Sequence, residues 1–236
     1  MSHSTQSLSS FARTPSPNVR RCLLVLALPL LACFKPAPLT NPSHPKFTGA
    51  APDSFDVEMR TTKGMFLVRV HREWAPNGAD RFHALVRNHY FDSVAFHRTI
   101  RNFVAQFGLH GDTAVNAAWR GKNIADDPVR HPNSKGTLAF ARGGANTRSV
   151  QLYFNTVDNT PRLDTLNGFG FPPIGEVIYN REVLDSLNWE YSGTRGGQTF
   201  PGPAQDSISR QGNAYLRRLF PRLDYIVSAR VARRWG

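Results

Sequence analysis

Short runs of alternating apolar and polar residues recur along the chain from about residue 55 to residue 231. Alternation with a period of two is typical of β-strands that turn one face to a core, and the runs are separated by Gly, Pro, Asn and Ser. The predicted strands are residues 57–60, 65–70, 94–100, 103–107, 137–141, 150–156, 174–179 and 225–231. The pattern predicts a domain in which strands dominate.

Three segments follow the helical period instead. Apolar residues recur at steps of three and four in residues 76–88, which also carry a proline at the first position, as helices often do. Residues 182–188 and 206–220 are predicted as two further helices. Loops are predicted for the polar stretch before residue 136 and for residues 190–204, which are rich in Gly, Ser, Thr and Pro.

Eight short strands with few, separated helices predict a mainly β fold. We expect a closed eight-stranded antiparallel barrel with helices at its ends. The chain lacks the regular alternation of strand and helix that a parallel, doubly wound sheet requires, so that class is not predicted.

The first 32 residues are typical of an export signal. Arg20 and Arg21 precede an apolar run of the length expected for a signal peptide, too short to span a membrane as a mature helix. The run ends in Leu-Leu-Ala followed by Cys33, which resembles a bacterial lipobox. We expect cleavage before Cys33 and a lipid on its thiol. A plain signal peptide cut nearby, or an uncleaved anchor, stays open as an alternative.

Residues 33–54 have the composition of a linker. They hold five prolines and little apolar periodicity, and we interpret them as a solvated tether between the lipid and a domain at residues 55–236. The two cysteines of the chain, Cys22 and Cys33, both precede this domain. The domain therefore has no disulfide, no cysteine nucleophile and no thiolate metal site.

The chain is basic, with a formal charge of +12 from 29 Lys and Arg against 17 Asp and Glu. The arginines are scattered, which is typical of a solvated surface, so nucleic-acid binding is not predicted. The excess would favour an anionic membrane surface. His83 and His89 lie six residues apart without a carboxylate at zinc-protease spacing, and no metal site is predicted.

Two segments resemble the signature blocks of the cyclophilin family of peptidyl-prolyl cis-trans isomerases. Residues 91–112 read FDSVAFHRTIRNFVAQFGLHGD, and residues 136–164 read GTLAFARGGANTRSVQLYFNTVDNTPRLD. The first matches the family's Phe-His-Arg-x-Ile followed by Phe-x-x-Gln-x-Gly. The resemblance covers about residues 55–231. Residues 205–226, with Gly-Asn-Ala-Tyr-Leu at 212–216, are similar to a branch found in exported bacterial members.

The chemistry of such an enzyme has simple requirements. Rotation about an X–Pro bond breaks amide resonance against a barrier of about 18–20 kcal/mol. In the twisted state the prolyl nitrogen regains a lone pair, so a catalyst needs a donor aimed there and an apolar pocket for the ring. It needs no nucleophile, metal or cofactor.

The resemblance implies a role for each site residue. Arg98 would be the donor, Gln106 would orient it or bind the substrate carbonyl, and Phe103 would line the proline pocket. The remaining substrate-binding positions are Phe140, Ala141, Arg142, Gly143, Gln151, Tyr153, Leu163 and Phe171. Phe140 and Tyr153 would complete the pocket with Leu163 at its rim. Gln151 and the backbone of 141–143 would bind the flanking peptide, and Phe171 would replace a histidine wall. Arg162 stands where many members carry tryptophan or histidine.

We expect a monomeric isomerase that acts on proline-containing segments of exported proteins and assists their folding. A second hypothesis keeps the same groove as a binding module or chaperone with little catalysis. A third, a basic envelope protein, would explain the N-terminal segment and leave the two blocks unexplained.

Overall fold

A computed structural model of the chain describes residues 38–195 and 197–235. Nine strands form one sheet. They are β1 (Ser54–Thr61), β2 (Gly64–His71), β3 (Val94–Ala95), β4 (Arg98–Ile100), β5 (Val104–Phe107), β6 (Thr137–Phe140), β7 (Leu152–Asn155), β8 (Pro173–Tyr179) and β11 (Tyr225–Trp235). The other two described strands, β9 (Ser192–Arg195) and β10 (Gln198–Pro201), form a separate hairpin. All pairings in the nine-stranded sheet are antiparallel, in the order β3-β11-β1-β2-β8-β6-β7-β5-β4.

The two ends of this sheet are consecutive pieces of chain. β3 pairs with β11 and β4 pairs with β5, and only Phe96 and His97 lie between β3 and β4. The sheet therefore curls until its first and last strands are joined covalently. The predicted antiparallel, mainly β barrel is confirmed, and its eight strands become nine because the predicted strand 94–100 is interrupted at residues 96–97.

Phenylalanine fills the interior of the curled sheet. Phe55, Phe66, Phe107 and Phe154 are fully buried, and Phe66 and Phe107 both pack against Phe154 with ring centroids 5.3 and 5.6 Å apart. Alternation explains this core, since each strand sends every second side chain inward. Aromatic pairs at these distances also contribute beyond the area that they bury.

The described residues contain the helices α1 (Pro76–Arg87), α2 (Thr113–Trp119), α3 (Arg162–Thr165), α4 (Glu182–Asp185) and α5 (Gln205–Leu219), with 3-10 turns at Pro45–Phe47 and Leu166–Gly168. Only α1 and α5 among these are longer than two turns. The amides of Asn77 and Gly78 at the start of α1 donate to the Asp127 carboxylate at 3.1 and 3.0 Å. A residue distant in sequence thus satisfies orphan donors of this helix.

Two elements lie where the sequence predicted loops. α2 begins after Asp112, whose side chain accepts from the Ala114 amide at 2.8 Å, and buries Val115 and Trp119. Seven residues are too few for a periodic pattern to stand out from a polar neighbourhood. The β9–β10 hairpin pairs only within itself and is largely exposed, so it shows no buried alternation.

The described part of the predicted tether, residues 38–54, is not solvated throughout. Phe47 and Ala51 are 8% and 7% exposed and belong to the main core. The Trp119 indole donates to the Leu39 carbonyl at 2.8 Å, and its ring meets Phe47 edge-on at 5.0 Å. Prolines suggested a linker, but isolated apolar residues between them find a partner on α1 and α2. We call residues 39–51 the strap.

Replacing Phe47 with alanine is expected to lower the free energy of unfolding by about 3 kcal/mol, because a buried phenylalanine is lost and a cavity opens against Trp119. Urea denaturation of the full chain would measure this change. The neighbouring exposed Ser43→Ala provides a matched control with no expected effect. Equal stability of the Phe47 variant and the native protein would show that the strap is a tether after all.

The predicted signal segment 1–32 and the predicted lipid site Cys33 lie outside the described residues. Helices in residues 38–195 and 197–235 all fall short of the length and apolarity needed to cross a membrane.

Candidate active site

The hairpin formed by β4 and β5 places two polar side chains side by side. Arg98 and Gln106 are register partners, and Asn102 in the turn between the strands has a positive φ of 56°. Asn tolerates this left-handed conformation better than most residues. The Arg98 Nη1 donates to Gln106 Oε1 at 3.1 Å. A tight turn thus brings together two residues that are eight positions apart.

The hydrogen bond from Arg98 continues through a row of glutamines. Gln106 Nε2 donates to Gln151 Oε1 at 2.9 Å, and Gln151 Nε2 donates to Gln205 Oε1 at 3.1 Å. Gln151 stands immediately before β7, and Gln205 is the first residue of α5. We call Arg98, Gln106, Gln151 and Gln205 the glutamine row.

A cavity of about 330 Å³ opens beside Arg98 and Gln106. Its other lining residues are Phe103, Val104, Ala141, Arg142, Tyr153, Leu163, Leu166, Phe171 and Gln205. The Tyr153 hydroxyl donates to Asn133 Oδ1 at 3.1 Å, and the Tyr153 ring meets Phe171 edge-on at 5.9 Å. The hydroxyl is therefore already satisfied, and the cavity combines apolar walls with a polar side made by Arg98 and Gln106.

Phe140 is not part of this cavity, contrary to the sequence prediction. Its side chain is fully buried in the main core, while its neighbour Ala139 packs in a separate cluster with Val104, Tyr153 and Leu163. Successive residues of a strand face opposite sides, so Phe140 and Tyr153 cannot share one face when Ala139 is the register partner of Tyr153.

The sequence analysis did not identify four residues of this region. Val104, Leu166 and Gln205 line the cavity, and Ala139 belongs to the apolar cluster that packs against it. Strict alternation from Tyr153 across its neighbours would have identified Ala139. Val104 follows Phe103 at the start of β5, and both contribute to this cluster. Leu166 and Gln205 come from segments whose placement only the tertiary structure reveals.

The Arg142 side chain is held inside the protein and does not extend into solvent. It is 1% exposed, pairs with Asp126 at 2.6 Å, and donates to the carbonyls of Phe169 and Gly170. Its guanidinium lies over the rings of Phe169 and Phe171, 4.0 and 5.3 Å from their centroids. Burial lowers the pKa of Arg142, and Asp126 opposes that effect. Arg142 therefore fastens the loop that carries the Phe171 wall.

A second cavity of about 390 Å³ adjoins the first. The two share Gln106, Ala141, Arg142 and Gln205, which form the partition between them. The second is also lined by Gly143, Gln151, Trp119 and, from α5, Ser209. The residues predicted to bind the flanking peptide thus lie together along one groove that contains both cavities.

Arg162 and Arg98 bring positive charge to this groove. The guanidinium of Arg162 lies 4.9 Å from the centroid of the Phe103 ring, so a cation covers that wall where the family often has an aromatic residue. In the described part of the chain Arg98 makes no ion pair with a carboxylate. Burial lowers the pKa of Arg98, but a guanidinium stays protonated in proteins. Its charge is therefore available to a bound group.

His97, between β3 and β4, is 1% exposed. Its ring nitrogens have no hydrogen-bond partner of good geometry within the described residues. Burial, and next the charge of Arg98, lower the pKa of His97 to about 4. The ring is therefore neutral at pH 7 and is packed in the interior.

Comparisons with known proteins agree with this geometry. A family model described as cyclophilin type peptidyl-prolyl cis-trans isomerase matches residues 56–208. Peptidyl-prolyl cis-trans isomerase-like 1 of Aspergillus fumigatus is 35% identical over 140 residues, which are 57% of this chain and 86% of the relative. Peptidyl-prolyl cis-trans isomerase-like 2 of Gibberella zeae is 32% identical over 154 residues, 63% of this chain but only 24% of that longer protein.

The fold has a solved counterpart. The crystal structure of a cyclophilin type peptidyl-prolyl cis-trans isomerase from Cryptosporidium parvum superposes with a TM-score of 0.54 at 17% sequence identity. The match covers 76% of this chain and 98% of that one. At this level of identity the likeness concerns the fold alone.

Proposed function

The chain belongs to the cyclophilin-type peptidyl-prolyl cis-trans isomerases, and on that premise we propose that it rotates X–Pro bonds in exported proteins from a lipid anchor on Cys33. One observation carries the assignment of residues. Among the described residues no carboxylate pairs with the guanidinium of Arg98, which stands at the edge of an apolar cavity with its orientation fixed by Gln106.

Arg98 acts on the prolyl nitrogen in this proposal. The planar amide nitrogen is a poor acceptor because its lone pair is delocalised into the carbonyl, whereas the twisted nitrogen accepts well. Arg98 carries five N–H groups and uses one of them on Gln106. The others can donate to the twisted nitrogen, and this interaction grows as the bond rotates. Interactions of that kind lower the barrier.

The proline ring occupies the first cavity. Phe103, Tyr153, Leu163 and Phe171 surround it with apolar surface, and the Tyr153 hydroxyl is held away by Asn133. Burial of the ring keeps water from competing for Arg98 and fixes one side of the rotating bond. Such positioning is a substantial part of catalysis when no covalent chemistry is involved.

The peptide on either side of the proline lies along the partition and the second cavity. Ala141, Gly143 and Gln151 line this part of the groove. The amides of Ala141 and Gly143 already donate to the Gln151 carbonyl and to Thr147 Oγ1, so we expect the carbonyls of this segment to accept hydrogen bonds from the flanking peptide. The Arg142 side chain contributes indirectly, by holding Phe171, because its own guanidinium is buried. Catalysis needs no cofactor in this scheme.

The alternative is a binding module that grips proline-containing segments without accelerating rotation. A protease-coupled assay on a proline tetrapeptide separates the two, because only trans peptide is cleaved at once and the rest waits for isomerisation. We expect the full chain, purified in detergent, to speed the slow phase in proportion to enzyme concentration. A folded protein that binds the peptide by calorimetry and leaves the slow phase unchanged would establish the binding module.

Export and anchoring are supported by the N-terminal sequence. The segment 1–32 has the charge and apolar pattern of a signal, and Leu-Leu-Ala precedes Cys33. Acylation of one thiol, with a second acyl signal or a basic surface, gives stable membrane attachment. After cleavage before Cys33 the chain keeps 26 Lys and Arg against 17 Asp and Glu, a formal charge of 26 − 17 = +9, which supplies the basic excess. We place the enzyme on the periplasmic side of a bacterial membrane.

Replacing Cys33 with serine is expected to move the protein from the membrane fraction to the soluble fraction or to leave it unprocessed, because the acceptor thiol is lost. Fractionation and mass spectrometry of the N-terminus would measure this. Cys22→Ser is the matched control and should leave both processing and anchoring intact. An unmodified N-terminus at another residue in the native protein would point to a plain signal peptide.

A further inference from the structure

α5 borders the groove and brings Gln205 to the end of the glutamine row. Gln205 lines both cavities, and its Oε1 accepts from Gln151 Nε2 at 3.1 Å. The family match ends at residue 208, near the start of this helix. Most of α5 therefore lies beyond the matched segment and still contributes to the site.

A close backbone contact fixes the position of α5. Gly212 interrupts the helix at φ 59° and ψ −150°, and a Cβ there would stand 2.1 Å from the Gly111 carbonyl oxygen. That conformation is open essentially to glycine alone. The next residue, Asn213, donates its amide to the Gly111 carbonyl at 3.0 Å and its side chain to the Ser93 carbonyl at 2.9 Å. The Gly-Asn pair of the sequence motif thus attaches α5 to the barrel.

A separate apolar cluster holds the same helix on its inner face. Ile208 and Leu216 are fully buried against Ala95 and Leu223. The Tyr215 hydroxyl accepts from the Ala204 amide at 3.3 Å, which secures the residue directly before Gln205. Gln205 is therefore presented by a fixed backbone although its side chain is exposed.

The direction of the glutamine row follows from its first member. A guanidinium has donors and no acceptor, so Gln106 must turn its oxygen toward Arg98 and its nitrogen toward Gln151. Gln151 must then offer its oxygen to Gln106, which leaves its nitrogen in need of an acceptor. Gln205 Oε1 supplies that acceptor. Hydrogen bonds in such a series orient and strengthen one another.

We propose that Gln205 is a positioning residue for the isomerase reaction, through which α5 sets the orientation of Gln106 and Arg98. The inference rests on the proposed role of Arg98. Without the acceptor on α5, the Gln151 amide loses the partner of its nitrogen and holds Gln106 less firmly. Arg98 then samples orientations that do not face the prolyl nitrogen.

Gln205→Leu tests this because it keeps the size of the side chain and removes the acceptor. We expect kcat to fall by about 3–10-fold with KM within about twofold, the rate equivalent of one net hydrogen bond. Gln205→Glu should restore most of kcat, since a carboxylate still accepts from Gln151. Gln211→Leu, an exposed glutamine on the same helix, is the matched control and should leave both constants unchanged.

A mutant cycle separates positioning from a direct contact with substrate. In an Arg98→Ala background, Gln205→Leu should cause no further loss, because the residue acts through Arg98. The full 3–10-fold loss in that background, or a normal rate for Gln205→Leu alone, would overturn the inference and leave the isomerase assignment standing. If Arg98→Ala itself kept the native rate, the failure would lie with the proposed role of Arg98 instead.

Discussion

Arg98→Ala is expected to lower kcat and kcat/KM together by about 10²–10³-fold while peptide affinity stays within a few-fold. The hydrogen bond from Arg98 is much stronger in the transition state than in the ground state, because the prolyl nitrogen is a poor acceptor in the planar amide and a good one in the twisted amide. Arg98 is part-buried and has no carboxylate partner in the described chain, so its removal leaves no unpaired acid behind.

Two companion variants sharpen this result. Phe103→Ala removes apolar surface that the proline ring touches in both states, so it should weaken peptide binding as well as turnover. Arg98→Lys should rescue poorly, because a point charge lacks the guanidinium fork and cannot be held by Gln106 in the same way. The series needs protease-coupled kinetics, calorimetry for affinity and circular dichroism for folding. A folded Arg98→Ala enzyme with near-native rates would refute the mechanism.

Lowering the pH from about 6.5 to 4 is expected to destabilise the fold by roughly 5 kcal/mol, a large share of the stability of an ordinary domain. Burial lowers the pKa of both His83 and His97 to about 4 from the ordinary 6.5. Between these values the unfolded chain binds protons that the folded chain rejects. This contribution to stability is thus complete well above pH 6.5 and is lost as the pH falls toward 4, by about 2.5 kcal/mol for each histidine between pH 6.5 and 4.

Urea denaturation of the full chain at pH 7, 6, 5 and 4 would measure this slope. His83→Phe should remove about half of it, because the ring keeps its edge-on contact with Phe55, whose centroid lies 4.8 Å away, and no longer titrates. Ser43→Ala is a suitable control, because Ser43 is exposed and does not titrate, and it should leave the slope unchanged. Equal slopes for His83→Phe and the native chain would contradict the assignment.

Much of the barrel, and the pairing of Arg98 with Gln106, could be predicted from sequence because both depend on local patterns. The alternation that buries Phe55 and Phe154 is visible in strands read singly. The spacing from Arg98 to Gln106 gives a hairpin once a tight turn is recognised at residues 101–102, and the hairpin makes the two residues neighbours. These features need no knowledge of the rest of the chain.

The remaining parts of the site depend on long-range contacts. Phe140 was misplaced because the face of β6 is set by its register with Tyr153, which the prediction did not determine. Gln205 is 54 positions from Gln151, and only the docking of α5 through Gly212 brings them together. The strap was taken for linker because single apolar residues such as Phe47 give no periodic signal until α2 supplies a partner.

The covalent join between β3 and β4 has a consequence for an enzyme that handles unfolded chains. Extended segments readily add to exposed sheet edges, and a long free edge would let a client pair with the enzyme and aggregate. Here the two terminal strands have two and three residues, and they continue directly into each other. The two ends of the sheet therefore offer clients no edge longer than three residues. The longer free side in the described chain belongs to β11, which meets β3 only at Tyr225 and Ile226. There Arg230, Arg233 and Arg234 provide the charged side chains by which natural sheet edges resist pairing with another strand.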